Sequence, residues 1–231
     1  MNLGNMVDKS KKLSSLAFKF GVLGIIGLFI GTALSVAGYQ DYDGSGFNFL
    51  NHTLSELGHY GHSTMAVVIN GGLFFGSLSL ILFSLFSIQL VDNKLLYPLC
   101  FSLAATFFCL AAVGLFPVNV FHLHTAALQS FFYLATCSIT LYFVYLLRQG
   151  GIFYSRWNMV TGLLTLMSFT VFLLSSHIDL GIFGSDRPFY QEVVMELPRP
   201  MIWWPAALEW FCLLLFMAWC CGMIRSVKNR V

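Results

Sequence analysis

The sequence predicts an all-α integral membrane protein, a six-transmembrane-helix bundle with both termini cytoplasmic, forming a single domain over 1–231. Three observations predict it. Of the 231 residues, 58% are hydrophobic and 10% charged, with mean hydropathy +0.78. Soluble domains carry roughly 25% charged residues, and a soluble globule of this size has too much surface to hide so much apolar material. Six apolar runs each approach the ~20 residues needed to cross ~30 Å of hydrocarbon. Threading the runs as spans leaves ten of the twelve Lys and Arg on one side, as the positive-inside rule requires.

The first run, 18–39, follows a polar start with Lys9, Lys11 and Lys12. It exceeds the roughly 7–15-residue core of a signal peptide and is read as a retained helix. Gly24, Gly27, Gly31 and Gly38 fall near one helical face, which permits close approach of another helix in lipid. A polar segment, 40–64, precedes the second run, 65–90, which carries Asn70 and Gly72-x-x-x-Gly76. After a short link with Lys94, the third run, 95–116, ends at Pro117. The connection 118–124 carries His122 and His124. The fourth run is 125–147. Arg148, Gly150, Gly151 and Arg156 mark the next link, and the fifth run is 157–176. A long segment, 177–204, is rich in proline, with 189–197 read as a short interfacial amphipathic helix. The sixth run, 206–224, is followed by Arg225, Lys228 and Arg230.

This threading sorts residues that were not used to build it. All six histidines and eight of the ten acids collect at the outer end, with Tyr39, Tyr42, Tyr60, Trp203 and Trp204 in the interfacial belt. Only Arg187 and Arg199 are outer cations. The working surface is therefore expected at the outer end. The net charge of +2 and the absence of a basic run interleaved with aromatics exclude nucleic acid. The six cysteines lie in apolar runs without a C-x-x-C pair and read as small buried hydrophobes. Phosphate-binding glycine loops and G-x-S-x-G are absent.

Chemistry-bearing residues concentrate around 51–76. Thr53-x-x-Glu56 is a capping-box pattern, predicting a short turn from about Leu54 to Gly58. Ser55 and Glu56 are either parts of that turn or site residues. His59 and His62, His122 and His124, and His177 could converge at the outer mouth. With Asp179, Glu56 or Glu209 they would make a Zn site, in which a bound water becomes a nucleophile near neutral pH; the spacing matches no established zinc motif. Asn70 and Glu209 lie near the embedded ends of spans. Glu209 reads either as a helix-dipole partner or as a site residue facing the bundle interior.

Asn51-His-Thr-Leu-Ser55-Glu56-Leu-Gly58, Asn70-Gly-Gly-Leu-Phe-Phe-Gly76, and Gly114-Leu-Phe-Pro117 followed by His124-x-Ala126 resemble the domain-of-unknown-function 998 family of prokaryotic membrane proteins. The resemblance implies a polytopic inner-membrane protein, a bacterial cell membrane, and no assigned reaction. More distantly, the loop before the second run looks like that of six-span DRAM-type and GPI-lipid-remodelling proteins, which implies lipid recognition at the outer leaflet.

The functional expectation is a polar outer-leaflet pocket for a lipid or other amphiphile, built from Ser55, Glu56, His59, Asn70, His122, His124 and Glu209. The alternatives are a metal-dependent hydrolase of a lipid amide or ester, with metal ligands among His59, His62, His122, His124 and His177; a structural protein that meets a membrane-protein partner or its own copy through the glycine faces; and a transporter.

Overall fold

A computed structural model describes residues 3–41, 44–90, 94–149, 151–174, 193 and 200–228, without the side chains of 3–7, 148 and 149. His177, Asp179, Arg187, Arg199 and all of the segment 189–197 except Val193 lie outside the described residues. Among the described residues seven α-helices occur in order: α1 (Leu3–Ala37), α2 (Leu54–Leu57), α3 (Ala66–Ile88), α4 (Leu96–Leu115), α5 (Phe121–Gln149), α6 (Arg156–Leu174) and α7 (Trp204–Lys228). A 3₁₀ turn, Val118–Val120, joins α4 to α5. All but α2 are long and apolar enough to cross a membrane. The chain is a multi-pass integral membrane protein with a six-helix bundle.

Two helices differ from the runs read in the sequence. Helix α1 starts at Leu3, not near residue 18, because the stretch up to 17 has no proline and its Lys, Ser and Leu residues tolerate a helix. Helix α5 starts at Phe121, so His122 and His124 are helical and do not sit in a loop. Pro117 ends the preceding helix and, at φ −62°, seeds the 3₁₀ turn that leads into α5.

The expected glycine faces meet each other. A Cβ on Gly31 would lie 3.1 Å from the Gly72 Cα, and one on Gly27 3.4 Å from the Gly76 Cα. Helices α1 and α3 thus pack backbone against backbone, the close approach that small residues permit in lipid. Elsewhere the core is aromatic: Phe131, Phe132, Phe169, Phe172, Phe216 and Trp219 are buried and in ring contact from α5 through α6 to α7. Lipid-facing positions stay apolar, as with Phe29, Phe75, Phe108 and Leu214. The described cysteines, all six, are free. The long helices pack against their neighbours in chain order, α7 also packs against α1, and the short polar helix α2 touches α1 and α7.

Candidate functional site

The site is built on α2. Every residue from His52 to Gly58 is buried, so the polar segment enters the end of the bundle instead of lying on it. A buried backbone without partners would cost several kcal/mol in total, at roughly 1–3 kcal/mol per unmet group. The sequence supplies partners. Thr53 Oγ1 accepts from Glu56 N at 3.2 Å, and Glu56 Oε2 accepts from Thr53 N at 3.0 Å. Both halves of the expected capping box are present. The Thr53 hydroxyl also donates to Val193 O at 2.6 Å. At the other end of the turn, Asn70 Nδ2 of α3 donates to Gly58 O at 2.9 Å. The turn is thereby tied at both ends, to Val193 far away in sequence and to Asn70 of the next helix.

Ser55 and His124 come together. Ser55 Oγ lies 2.8 Å from His124 Nε2, and His124 Nδ1 lies 2.7 Å from Phe116 O. The proton positions follow from the partners. Helix α4 stops before Pro117, which has no N–H, and the carbonyl of Phe116 is one of the orphans a helix end leaves behind. A carbonyl only accepts, so Nδ1 carries the proton. In the neutral ring Nε2 then offers a lone pair, and Ser55 Oγ–H donates to it. Ser55 is 5% exposed and His124 2%.

Glu209 completes the constellation from α7. Its carboxyl is 4% exposed. Oε2 accepts from Leu54 N at 3.4 Å, while Oε1 is buried and has no hydrogen-bond partner among the described residues. It is the sixth residue of a helix that begins at Trp204, about half a turn past the first turn to which the helix-dipole effect is confined.

The remaining expected residues separate. His122 is exposed, while His124 is buried. Two residues apart on a helix they point about 200° apart, so they do not share a face. His59 and His62 are in ring contact at 4.7 Å but sit in a turn, where Gly61 has φ +93°, and not on a helix. Burial pushes the His59 imidazole below its ordinary range, and the nearby Glu56 charge pulls it partly back. Among the described residues no three of His, Cys, Asp and Glu gather where they could hold one metal ion. His177 lies outside the described residues.

A second buried polar pair adjoins the turn. His52 Nε2 faces Asp41 Oδ2 at 3.2 Å, and Asn48 N donates to Nδ1 at 3.2 Å. The ring is walled by Tyr39 and Phe47, and Trp210 Nε1 donates to His52 O at 2.8 Å. The sequence reading did not place Asp41 or Trp210 in the site. The available signal was the Asp41-x-x-Gly44 turn, closed by Gly44 N donating to Asp41 O with Gly44 at φ +78°.

Beside this cluster a lateral groove of about 580 Å³ opens between α1 and α7, within the ~300–1,000 Å³ range of ligand pockets. Ile25, Leu28 and Val36 line one wall, Leu213 and Met217 the other, with Leu73 and Leu110 also in the lining. The only hydroxyl among its described lining residues, on Thr32, is spent on Leu28 O within its own helix. Leu54 and Trp210 line the end nearest the buried cluster. From Trp210 to Cys221 the groove runs roughly 16 Å along α7 at 1.5 Å per residue, about the depth of one leaflet. Comparison with protein-family models, with curated proteins and with solved structures gave no match, so the family resemblance rests on the quoted motifs alone.

Proposed function

We propose that this protein binds one membrane lipid at the outer leaflet, with an acyl chain along the α1–α7 groove and the polar head at the α2 turn. The observation that carries the reading is the junction at Leu54 and Trp210. There a dry apolar groove of leaflet depth reaches helix α2, whose Leu54 N–H is held by the carboxyl of Glu209. A lipid has that same division into a long apolar part and a compact polar part. Glu209 Oε1, unpartnered among the described residues, offers the head a hydrogen bond from a hydroxyl or amine. Membership in the domain-of-unknown-function 998 family and residence in a bacterial cell membrane belong to the same proposal, on the strength of the Ser55-Glu56-Leu-Gly58 and Gly114-Leu-Phe-Pro117 motifs.

The test is native mass spectrometry of protein purified in mild detergent. Wild type retains one lipid per chain. Ala33→Phe combined with Ala218→Phe, which fills the groove from both walls, loses it, and Glu209→Leu weakens it. Lipid-free wild type, or equal retention in the filled variant, removes the reading.

A further inference from the structure

We propose that Ser55 is a nucleophile and His124 its general base, acting on the carboxylic ester of the lipid that occupies the groove. The inference rests on the lipid-binding reading for its substrate and on separate geometry for its chemistry. A serine hydroxyl is a weak nucleophile until a base within about 2.6–3.2 Å takes its proton, and that base must be held by a third group. Both conditions are met: 2.8 Å from Ser55 Oγ to His124 Nε2, and 2.7 Å from His124 Nδ1 to Phe116 O. The backbone carbonyl fixes the tautomer, the part a carboxylate plays in a triad. Being neutral, it gives the imidazolium less electrostatic support than a carboxylate does.

Placement supports the same assignment. Leu54 lines the groove and is the residue before Ser55, so their Cα atoms are about 3.8 Å apart. Ser55 and His124 are buried beside the groove and not in its lining, so the proposed position of the ester is the head of a groove-bound chain, next to Leu54, where it meets the serine. The rigidity needed for such a pair comes from the capping box, from Asn70 on Gly58 O, and from Thr53 on Val193 O.

The step balances with water as the second reactant. Ser55 Oγ attacks the ester carbonyl carbon, forming the Oγ–C bond while its proton moves to His124 Nε2. The ester C–O bond then breaks, and the departing alcohol takes that proton. Water attacks the acyl-serine, gives a proton to Nε2, and the acyl–Oγ bond breaks with return of the proton to Ser55. A fatty acid and an alcohol head leave. No electrons change hands.

The plain alternative is a buried hydrogen bond that only fastens α2 to α5. Two fluorophosphonates sharing one warhead separate the cases, one with an ethyl and one with a hexadecyl chain. The full-length protein in detergent is treated with each, and the adduct is mapped by peptide mass spectrometry. Both are expected to modify Ser55, the hexadecyl probe faster. His124→Gln is expected to slow labelling by about 100-fold or more, the lower bound for loss of a positioned base, and Ala33→Phe with Ala218→Phe to abolish the hexadecyl advantage. Because the adduct is mapped on wild type, a misfolded Ser55→Ala variant leaves the test intact. No adduct on Ser55 in protein that still retains its lipid overturns the nucleophile and leaves the groove reading standing. Equal rates for the two chains overturn the lipid-ester assignment and the groove reading together. Labelling unchanged in folded His124→Gln overturns the base.

Discussion

Breaking the Ser55–His124 contact from each side gives a measurable signature. Ser55→Ala leaves the lone pair on His124 Nε2 without its donor. His124→Phe keeps a planar ring but strands both the Ser55 hydroxyl and the Phe116 carbonyl, since both of its bonds, at 2.8 and 2.7 Å, disappear. Buried unmet groups cost about 1–3 kcal/mol each, whereas hydrogen bonds inside membrane proteins average about 0.6 kcal/mol and reach about 1.7. Both partners here are nearly inaccessible, which favours the upper part of the second range. We expect Ser55→Ala to cost about 1–2 kcal/mol and His124→Phe about 2–4. The double variant should be more stable than the sum predicts by about 1–1.7 kcal/mol, because each single change strands a group that the other removes. The assay is reversible unfolding in mixed micelles by titration with a denaturing detergent. Additivity within about 0.5 kcal/mol would refute the direct bond between Ser55 and His124.

Four other outcomes are expected. Gly31→Leu places a Cβ 3.1 Å from the Gly72 Cα and 3.2 Å from Val68 O; both are backbone atoms, so unfolding stability should fall by about 3 kcal/mol, the upper range for overpacking. Gly71→Ala, with nothing within 4 Å of its Cβ, should be neutral or stabilising by up to about 1 kcal/mol. Asn70→Leu removes the donor to Gly58 O and should cost about 1–2 kcal/mol, with amide exchange accelerating first over 54–63. The imidazole of His59 should titrate below the ordinary ~6.5 by NMR, and lower still in Glu56→Gln, which deletes the charge that raises it. Since the unfolded chain then binds the proton more readily, the His59 contribution to stability is complete above the unfolded value and is lost as pH falls through the lowered folded value. His59→Gln should therefore narrow the stability difference between pH 7 and pH 5.

Residue chemistry explains what was legible in the sequence. The spans were, because hydrocarbon admits only long apolar helices or closed barrels, and composition alone reports them. Helix α2 was legible too, since Thr53-x-x-Glu56 carries its geometry in four residues. The glycine faces on 24–38 and 72–76 could be read as faces, but nothing in either stretch states that they meet each other. His122 and His124 were read as loop residues because Pro117 signals a stop, and the 3₁₀ restart at Val118 leaves little trace in sequence. Of the site, Ser55, Glu56, Asn70, His124 and Glu209 could be picked out as polar residues at the ends of apolar runs. Their pairing could not. Ser55 and His124 are 69 residues apart, and the third member is a main-chain carbonyl with no side-chain signature. The groove was hidden for a different reason: an empty volume between α1 and α7 is a property of how two helices diverge, not of any residue.

The energetics of the turn bear on why it exists. A bundle held only by its apolar spans has no need of a buried polar insert. The stretch 52–58 places a hydroxyl, a carboxylate and an imidazole where the surroundings exclude water, and each demands a specific partner. The carboxylate and the imidazole are met locally, by Thr53 N and by Asn48 and Asp41, while the hydroxyls of Ser55 and Thr53 and the backbone of Leu54 and Gly58 reach α5, Val193, α7 and α3, so the insert fixes the relative positions of those elements. Such over-determination keeps Ser55 Oγ and His124 Nε2 within bonding distance, which the proposed site requires. Glu209 is the exception that gives direction to the argument. One oxygen holds Leu54 N, and the other has no described partner and is buried. For packing alone a leucine or methionine there would cost less. On the proposed lipid reading, a carboxyl in that place, one residue before the groove-lining Trp210, meets a donor that arrives with the ligand.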